Sequence, residues 1–263
     1  MDYSVNVDEL GGAIRIHADS HGNGSTTLLL VHGWATTRTL WESLLALPPP
    51  ENVRFVAIDL PGVGWSSKPA VSYSLAGWAA AVAALVAQLD GEVVLVGHSM
   101  GGTIAMAAAL SLGERISRLV LVSPVPASGV PLPEEAVAAY RAMAGRKDGM
   151  QHIIGSMMQP GVSVDVLDNL VSAAATITDR AFVDGLDAWR LANFADQLGG
   201  LRVPVRVLSG ALEQPLTPDL LRGTVLQQIS GATLTVLDGV GHYPQVEAPG
   251  AFAAALYEAA FGA

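Results

Sequence analysis

A serine stands between two glycines in the stretch LVGHSMGG, residues 95–102. The pattern G-x-S-x-G, placed between an apolar strand and a helix, is typical of a sharp turn that exposes a nucleophilic serine. Gly97 and Gly101 let the chain pass closely on both sides of Ser99. The hydroxyl would lie at a helix N-terminus, where the dipole favours negative charge. We predict that Ser99 is a catalytic nucleophile; the alternative is a tight turn without chemistry.

A serine hydroxyl needs a base before it can attack a carbonyl group. The chain has six histidines, and His242 is the best placed, because it follows the last apolar run, in DGVGHYPQVEAP. Active sites of open α/β sheets lie at the carboxyl ends of the strands. His98 directly precedes Ser99, so we expect its side chain to point away from the serine. We predict that His242 is the general base; a buried structural role is the alternative.

The base in turn needs a carboxylate that fixes its tautomer and stabilises the imidazolium. The expected chain order is serine, acid, histidine. Glu213 is the only acid in the turn ALEQPLTP, which follows the apolar run VRVLSG. Asp219 at the start of the next helix and Asp238 at the last strand are the rival acids. We predict that Glu213 completes the triad, although aspartate is commoner at this position.

A tetrahedral intermediate also needs an oxyanion hole. Met100, directly after the nucleophile, would supply one backbone N–H group. Trp34 in VHGWATT would supply the second, with Gly33 permitting the turn. The indole of Trp34 is alternatively, or in addition, a wall of the substrate pocket.

Several apolar runs and helical segments must position these residues. Runs rich in Val, Leu or Ile predict strands at 27–33, 54–60, 92–98, 118–124, 204–210 and 232–239. Helices are predicted at 74–89, 100–112, 217–228 and 249–260. This alternation predicts an α/β fold with a mostly parallel central sheet and helices on both faces. Residues 14–18 would form an antiparallel edge with the first two runs.

Residues 124–199 contain no convincing strand and instead predict helices at 134–145, 149–159, 163–175 and 179–192. We therefore predict a core formed by residues 1–123 and 200–263 and a helical insert formed by residues 124–199. Methionine and aromatic side chains in this insert suit an apolar pocket that fits varied shapes. The candidate pocket residues are Met143, Met157, Met158 and Trp189. The alternative is that they are ordinary core residues.

Composition excludes several classes of function. The chain has 263 residues, of which 51% are hydrophobic and 14% charged, enough for a large core. It has no cysteine, which excludes disulfides, thiolate metal sites and a cysteine nucleophile. The net charge of -10 argues against nucleic acid and anionic membranes as partners. The start, MDYSVNVDEL, lacks the order of a secretory signal, so we expect a cytoplasmic protein. No metal-ligand cluster or dinucleotide motif is visible, so no metal or cofactor is expected.

Taken together, these motifs resemble the α/β-hydrolase fold superfamily, with an inserted helical cap. The segments that carry the resemblance are LLLVHGW, IDLPGVGWSS, LVGHSMGG, ISRLVLVSP, LRVPVRVLSG and GVGHYPQVEAPGAF. The resemblance implies the triad Ser99, Glu213 and His242 and a cap at about 124–195. Within the superfamily the chain is similar to serine carboxylesterases, such as the pimeloyl-carrier-protein methyl ester esterases, and to carbon–carbon bond hydrolases.

The resulting hypothesis is a serine hydrolase that cleaves a small neutral carboxylic ester through an acyl-enzyme. The alternatives are a carbon–carbon bond or lactone hydrolase with the same triad, or a non-catalytic ligand-binding protein on this fold. An acidic carrier protein would need basic residues on the insert, whose charge balance is acidic. A small free ester is therefore the favoured partner, and a carrier protein is possible but not favoured.

Overall fold

The computed structural model describes residues 1–262, and its centre is an eight-stranded sheet. The strands are β1 Asp2–Val7, β2 Gly12–Gly22, β3 Thr26–Val31, β4 Val53–Ile58, β5 Glu92–His98, β6 Arg118–Val122, β7 Val205–Gly210 and β8 Thr233–Leu237. Their order across the sheet is β1-β2-β4-β3-β5-β6-β7-β8. β1 and β2 are antiparallel to each other, β2 is antiparallel to β4, and all other neighbours are parallel. The predicted mostly parallel sheet is therefore confirmed.

Helices cover both faces of the sheet, since all six side chains of β3 are buried although successive side chains point to opposite faces. The helices outside the insert are α1 Glu42–Leu45, α2 Leu75–Val86, α3 Met100–Leu112, α8 Pro218–Gly223, α9 Val225–Gln228, α10 Pro244–Glu247 and α11 Pro249–Phe261. α2 begins at Ser74, whose hydroxyl accepts a hydrogen bond from the Gly77 N–H, as a helix N-cap does. α11 packs against β6 and β7, and α3 packs against β5 and β6.

One strand was missed, and two expectations about the elements were wrong in part. β1 was not predicted, because only Val5 and Val7 of this edge strand are buried and the apolar pattern is short. The first two predicted runs pair in parallel, as β3 and β4. The antiparallel edge at residues 14–18 exists, but it lies in β2, which pairs with β4, the second run, and with β1. The helix predicted at 217–228 is two helices, because the chain breaks at Thr224, whose hydroxyl donates back to the Leu220 carbonyl oxygen.

The segment between β6 and β7 is helical, as predicted. Its helices are α4 Glu134–Arg141, α5 Lys147–Ser156, α6 Val164–Ala174 and α7 Asp179–Arg190. The segment is tied to the rest of the molecule by backbone hydrogen bonds, from the Thr178 N–H to the Gly62 carbonyl oxygen and from the Val125 N–H to the Ser99 carbonyl oxygen. We keep the name insert for residues 124–199.

Candidate active site

Four loops at one edge of the sheet carry the predicted site residues. Trp34 follows β3, Ser99 follows β5, Glu213 follows β7 and His242 follows β8. These four strands are parallel, and only β6 separates β5 from β7 in the sheet. Because the carboxyl ends of parallel strands meet at the same edge, the loops converge there.

Ser99 occupies the sharp turn between β5 and α3. Its backbone has φ 54° and ψ −121°, a conformation that residues other than glycine rarely adopt. The surrounding glycines make the turn possible, because a Cβ at Gly97 would lie 2.3 Å from the Gly101 carbonyl oxygen. A Cβ at Gly101 would lie 2.4 Å from the carbonyl oxygen of His32. The Ser99 N–H donates to the Val122 carbonyl oxygen at 2.9 Å, which anchors the turn to β6.

His242 and Glu213 form a buried pair, 4% and 0% exposed. The imidazole Nδ1 lies 2.8 Å from Glu213 Oε1. A carboxylate can only accept here, so Nδ1 carries the proton and Nε2 is left with its lone pair as a base. The rival acids lie elsewhere: Asp219 is an exposed partner of Arg222, and Asp238 is exposed in the turn after β8.

The two N–H groups proposed for the oxyanion hole are free of protein acceptors. Within residues 1–262, neither the Trp34 nor the Met100 backbone N–H donates a hydrogen bond to the chain. The loop that carries Trp34 also passes close to the serine, since a Cβ at Gly33 would lie 3.1 Å from the Ser99 Cβ. Both N–H groups are thus available to donate to a substrate carbonyl oxygen that becomes negatively charged near Ser99.

His32 fixes the start of this loop. Its Nδ1 lies 2.8 Å from the Gly33 carbonyl oxygen, and its Nε2 accepts from the Leu60 N–H at 3.1 Å. Nδ1 must therefore be the protonated nitrogen. Burial lowers the pKa of His32, and the charge of Asp59 opposes that shift. The imidazole is accordingly neutral near pH 7 and acts as a structural link.

His98 contacts the backbone of the base rather than the nucleophile. Its Nε2 lies 2.8 Å from the His242 carbonyl oxygen and must donate there. Burial, reinforced by the nearby His242, holds the pKa of His98 well below its usual range. The predicted direction, away from Ser99, agrees with this contact, but the contact itself was not foreseen.

A cavity of about 100 Å³ opens over the serine and the histidine. It is lined by Trp34, Ser99, Val125, Val130, Leu132, Tyr140, Met157, Trp189, Pro215, Leu216 and His242. Met157 and Trp189 were expected in the pocket. Met143 instead lines a surface depression beside Arg146, and Met158 packs against the core without lining the cavity.

The Trp34 side chain joins the loop after β3 to the insert. Its indole N–H donates to the Phe182 carbonyl oxygen at 2.8 Å. The ring also packs against Phe182, Trp189 and Tyr140, with centroid distances of 4.7, 5.9 and 5.4 Å. The Trp34 side chain thus lines the pocket, as considered for it, and its backbone role in an oxyanion hole stays a prediction.

Sequence reasoning missed several residues of this site. Tyr140 and Leu132 come from the insert, where no local motif marks a pocket position. Leu216 could have been predicted as a site residue, because it follows Glu213 by three residues on the same loop. Glu247 was also missed; its carboxylate accepts from backbone N–H groups on both sides of His242.

Across residues 1–262, no helix is both long enough and apolar enough to cross a membrane.

The chain matches a known protein family and several known proteins. The model of the alpha/beta hydrolase family matches residues 28–255. A pimeloyl-[acyl-carrier protein] methyl ester esterase of Pectobacterium carotovorum is 28% identical, over 90% of this chain and 95% of that protein. A 2-hydroxy-6-oxononadienedioate/2-hydroxy-6-oxononatrienedioate hydrolase of Burkholderia vietnamiensis is 29% identical, over 92% and 90%.

Solved structures share the fold. The esterase EaEST of Exiguobacterium antarcticum superposes with a TM-score of 0.86 at 20% identity, covering 98% of each chain. An enol-lactonase of Burkholderia xenovorans superposes with a TM-score of 0.81 at 20% identity, covering 93% of this chain and 96% of that one. The family match spans most of the chain and includes the loops that carry Ser99, Glu213 and His242. This chain belongs to the alpha/beta hydrolase family.

Proposed function

We propose that this protein is a serine hydrolase that cleaves small neutral carboxylic esters through an acyl-enzyme intermediate. The observation that carries the proposal is the buried His242–Glu213 pair, whose histidine lines the same cavity as Ser99. A strained serine at a helix N-terminus next to an oriented imidazole is the arrangement that nucleophilic acyl transfer requires.

The position of the proton in the His242–Glu213 pair suits base catalysis. Glu213 holds the proton of His242 on Nδ1, so Nε2 accepts the hydroxyl proton as Ser99 Oγ attacks the ester carbonyl. The same Nε2–H then protonates the leaving alcohol as the tetrahedral intermediate collapses to the acyl-enzyme. In the second half, Nε2 takes a proton from water as the water oxygen attacks the acyl carbon. The bond between the acyl carbon and Ser99 Oγ then breaks, Nε2 returns the proton to Oγ, and the acid leaves.

The negative charge that develops on the carbonyl oxygen would be stabilised by the Trp34 and Met100 N–H groups. Both lack an acceptor in the described chain, so binding an oxyanion breaks no existing hydrogen bond. One donor of this kind is worth roughly 3–4 kcal/mol of transition-state stabilisation in enzymes of this chemistry.

The cavity supports a neutral, short acyl group as the substrate. Among its lining residues there is no Arg, Lys, Asp or Glu, so a carboxylate bound there would lose its hydration without gaining a Lys or Arg cation as its partner. An apolar cavity of about 150 Å³ holds one benzene molecule. The present 100 Å³ therefore suits an acyl chain of a few carbons.

These features favour a free ester over the substrates named for the two relatives. A dioate brings a second carboxylate, for which the cavity offers no cation. An acidic carrier protein would need free basic side chains on the insert. The four arginines there, Arg141, Arg146, Arg180 and Arg190, already pair with aspartates. Among the described residues of the insert, Lys147 is the one Lys or Arg side chain without an ion pair, a single cation for an acidic partner.

We also propose that the insert, residues 124–199, acts as a cap over the core formed by residues 1–123 and 200–263. Its contribution to the cavity supports this division, because Tyr140, Met157 and Trp189 line the cavity opposite the strand-end loops. The reaction chemistry then resides in the core and the shape of the substrate site largely in the cap.

The test is kcat/KM for p-nitrophenyl acetate, butyrate, hexanoate, octanoate and palmitate. A succinate monoester, a lactone and a 2-hydroxy-6-oxo-dienoate are run alongside. We expect the highest value at acetate or butyrate, with little turnover of the charged compounds. Preference for the succinate monoester or palmitate contradicts the substrate assignment, and preference for the dienoate or lactone replaces ester hydrolysis by the corresponding alternative.

A further inference from the structure

The loop that carries His242 lies outside the sheet and outside any long helix. It follows β8 and leads into α10, which has only four residues. Gly241, His242 and Tyr243 are nevertheless buried. Buried backbone N–H groups need acceptors, and each one left without a partner costs about 1–3 kcal/mol. The loop therefore depends on side chains for its hydrogen bonds.

Glu247 supplies these acceptors with both oxygens of one carboxylate. The Gly241 N–H donates to Oε2 at 2.6 Å, and the Tyr243 N–H donates to Oε1 at 3.0 Å. The Glu247 N–H in turn donates to the Tyr243 carbonyl oxygen at 2.8 Å. The backbone N–H groups of the two residues on either side of His242 are thus bound by a single side chain.

The peptide group that joins His242 to Tyr243 is also bound at its carbonyl end. The His242 carbonyl oxygen accepts from His98 Nε2, on the residue next to the nucleophile. With Glu213 on the imidazole Nδ1, the base is fixed through both its ring and its backbone. A displacement of about 1 Å in such a group can cost on the order of 10²-fold in rate.

From these contacts we propose that Glu247 is a positioning residue for the reaction: its carboxylate orients His242 toward Ser99 by binding the backbone N–H groups of Gly241 and Tyr243. The inference rests on the proposed function, since it assigns Glu247 to the same triad. Glu247 touches neither the substrate cavity nor the imidazole, so its effect passes entirely through the loop.

The test compares Glu247→Ala and Glu247→Gln with wild type and with Glu258→Gln. Glu258 is an exposed glutamate on the neighbouring helix α11 and serves as the matched control. The readouts are kcat and KM for p-nitrophenyl butyrate and the proton NMR signal of the imidazole Nδ1–H shared by His242 and Glu213. That signal is assigned by its loss in Glu213→Gln.

We expect kcat to fall by about 10²-fold in Glu247→Ala and about tenfold in Glu247→Gln, which keeps one acceptor oxygen. KM should stay within about threefold of wild type, because the cavity is untouched, and the imidazole signal should shift or broaden. Glu258→Gln should match wild type in every readout.

An unchanged imidazole signal together with a kcat within twofold of wild type overturns the proposal. An unchanged signal with a lower kcat overturns it as well, because the loss then arises elsewhere. If Glu247→Ala does not fold, the signal of Glu247→Gln decides. A wild-type protein that shows the signal but hydrolyses no ester refutes the proposed function alone, since the signal still reports whether Glu247 holds His242.

Discussion

The strand-end loops and the helical insert are held in place by different interactions. In the loops, buried polar groups bind one another: Glu213 binds the ring of His242, and His98 binds its backbone. In the insert, the side chains facing the cavity are apolar, and the charged pairs, such as Arg146 with Asp148, lie at the surface. Hydrogen bonds fix direction, whereas apolar contacts fix mainly shape and volume. Changes in the loops should therefore affect turnover, and changes in the insert should affect substrate choice.

The largest effect is expected from Ser99→Ala. Removal of the nucleophilic oxygen should lower kcat/KM for p-nitrophenyl butyrate by on the order of 10⁴-fold or more, as in other enzymes with this triad. Circular dichroism and the unfolding midpoint should remain those of wild type, since only one oxygen atom is lost. A folded variant with near wild-type turnover would remove Ser99 from the mechanism.

The next effect is expected from Glu213→Gln. The substitution preserves size but removes the charge that stabilises the imidazolium, so kcat should fall by roughly 10³–10⁴-fold. The matched control is Asp219→Asn, on the exposed partner of Arg222, which should stay within twofold of wild type. If Asp219→Asn or Asp238→Asn is the inactive variant instead, the acid has been assigned to the wrong loop.

Substitutions in the insert should act on selectivity, and two methionines offer a matched pair. Met157 lines the cavity, whereas Met143 lies beside Arg146 in a separate depression. Met157→Ala should enlarge the site and move the preferred p-nitrophenyl ester to a chain about two carbons longer, changing kcat/KM ratios by about tenfold. Met143→Ala should leave the ratios unchanged. If the two variants change the kcat/KM ratios equally, Met157 does not limit the length of the acyl chain.

A smaller effect concerns stability at low pH. Burial lowers the pKa of both His32 and His98, so the unfolded chain, with the ordinary value of 6.5, binds more protons than the folded one below that pH. Stability should therefore be fully present above about pH 6.5 and fall as the pH drops, by up to about 1.4 kcal/mol per pH unit for each histidine.

Urea unfolding between pH 5 and 8 measures this slope. His32→Asn, which retains a donor for the Gly33 carbonyl oxygen, should reduce the slope. His152→Gln should leave it unchanged, because His152 is exposed on the insert. Equal slopes in wild type and His32→Asn would show that His32 takes up its proton without unfolding.

The strand-end loops could be predicted from the sequence better than the lining of the insert. The sheet and the turn at Ser99 follow from local patterns, namely apolar runs, turn residues and the glycines at 97 and 101. The backbone then requires those glycines, since a Cβ at either position would meet a carbonyl oxygen. The structure brings Glu213 and His242 together because their loops follow adjacent parallel strands, β7 and β8.

The cavity lining could not be predicted in the same way. Met143 and Met157 have the same chemistry and similar surroundings in the sequence, and only the packing of α4 and α5 separates them. Glu247 is five residues from His242, and nothing in its residue type shows that both carboxylate oxygens turn back to the loop. These properties arise from tertiary packing.

In the proposed reaction Ser99 carries the acyl group, and this intermediate can be trapped. Glu213→Gln is mixed with p-nitrophenyl butyrate, because loss of the carboxylate slows deacylation as well as acylation, and the reaction is quenched in acid at successive times. Intact mass and peptide mapping then locate the adduct. We expect one butyryl group per chain, on Ser99, and none in Ser99→Ala. A butyryl group on another residue that forms and decays at the rate of turnover would contradict it.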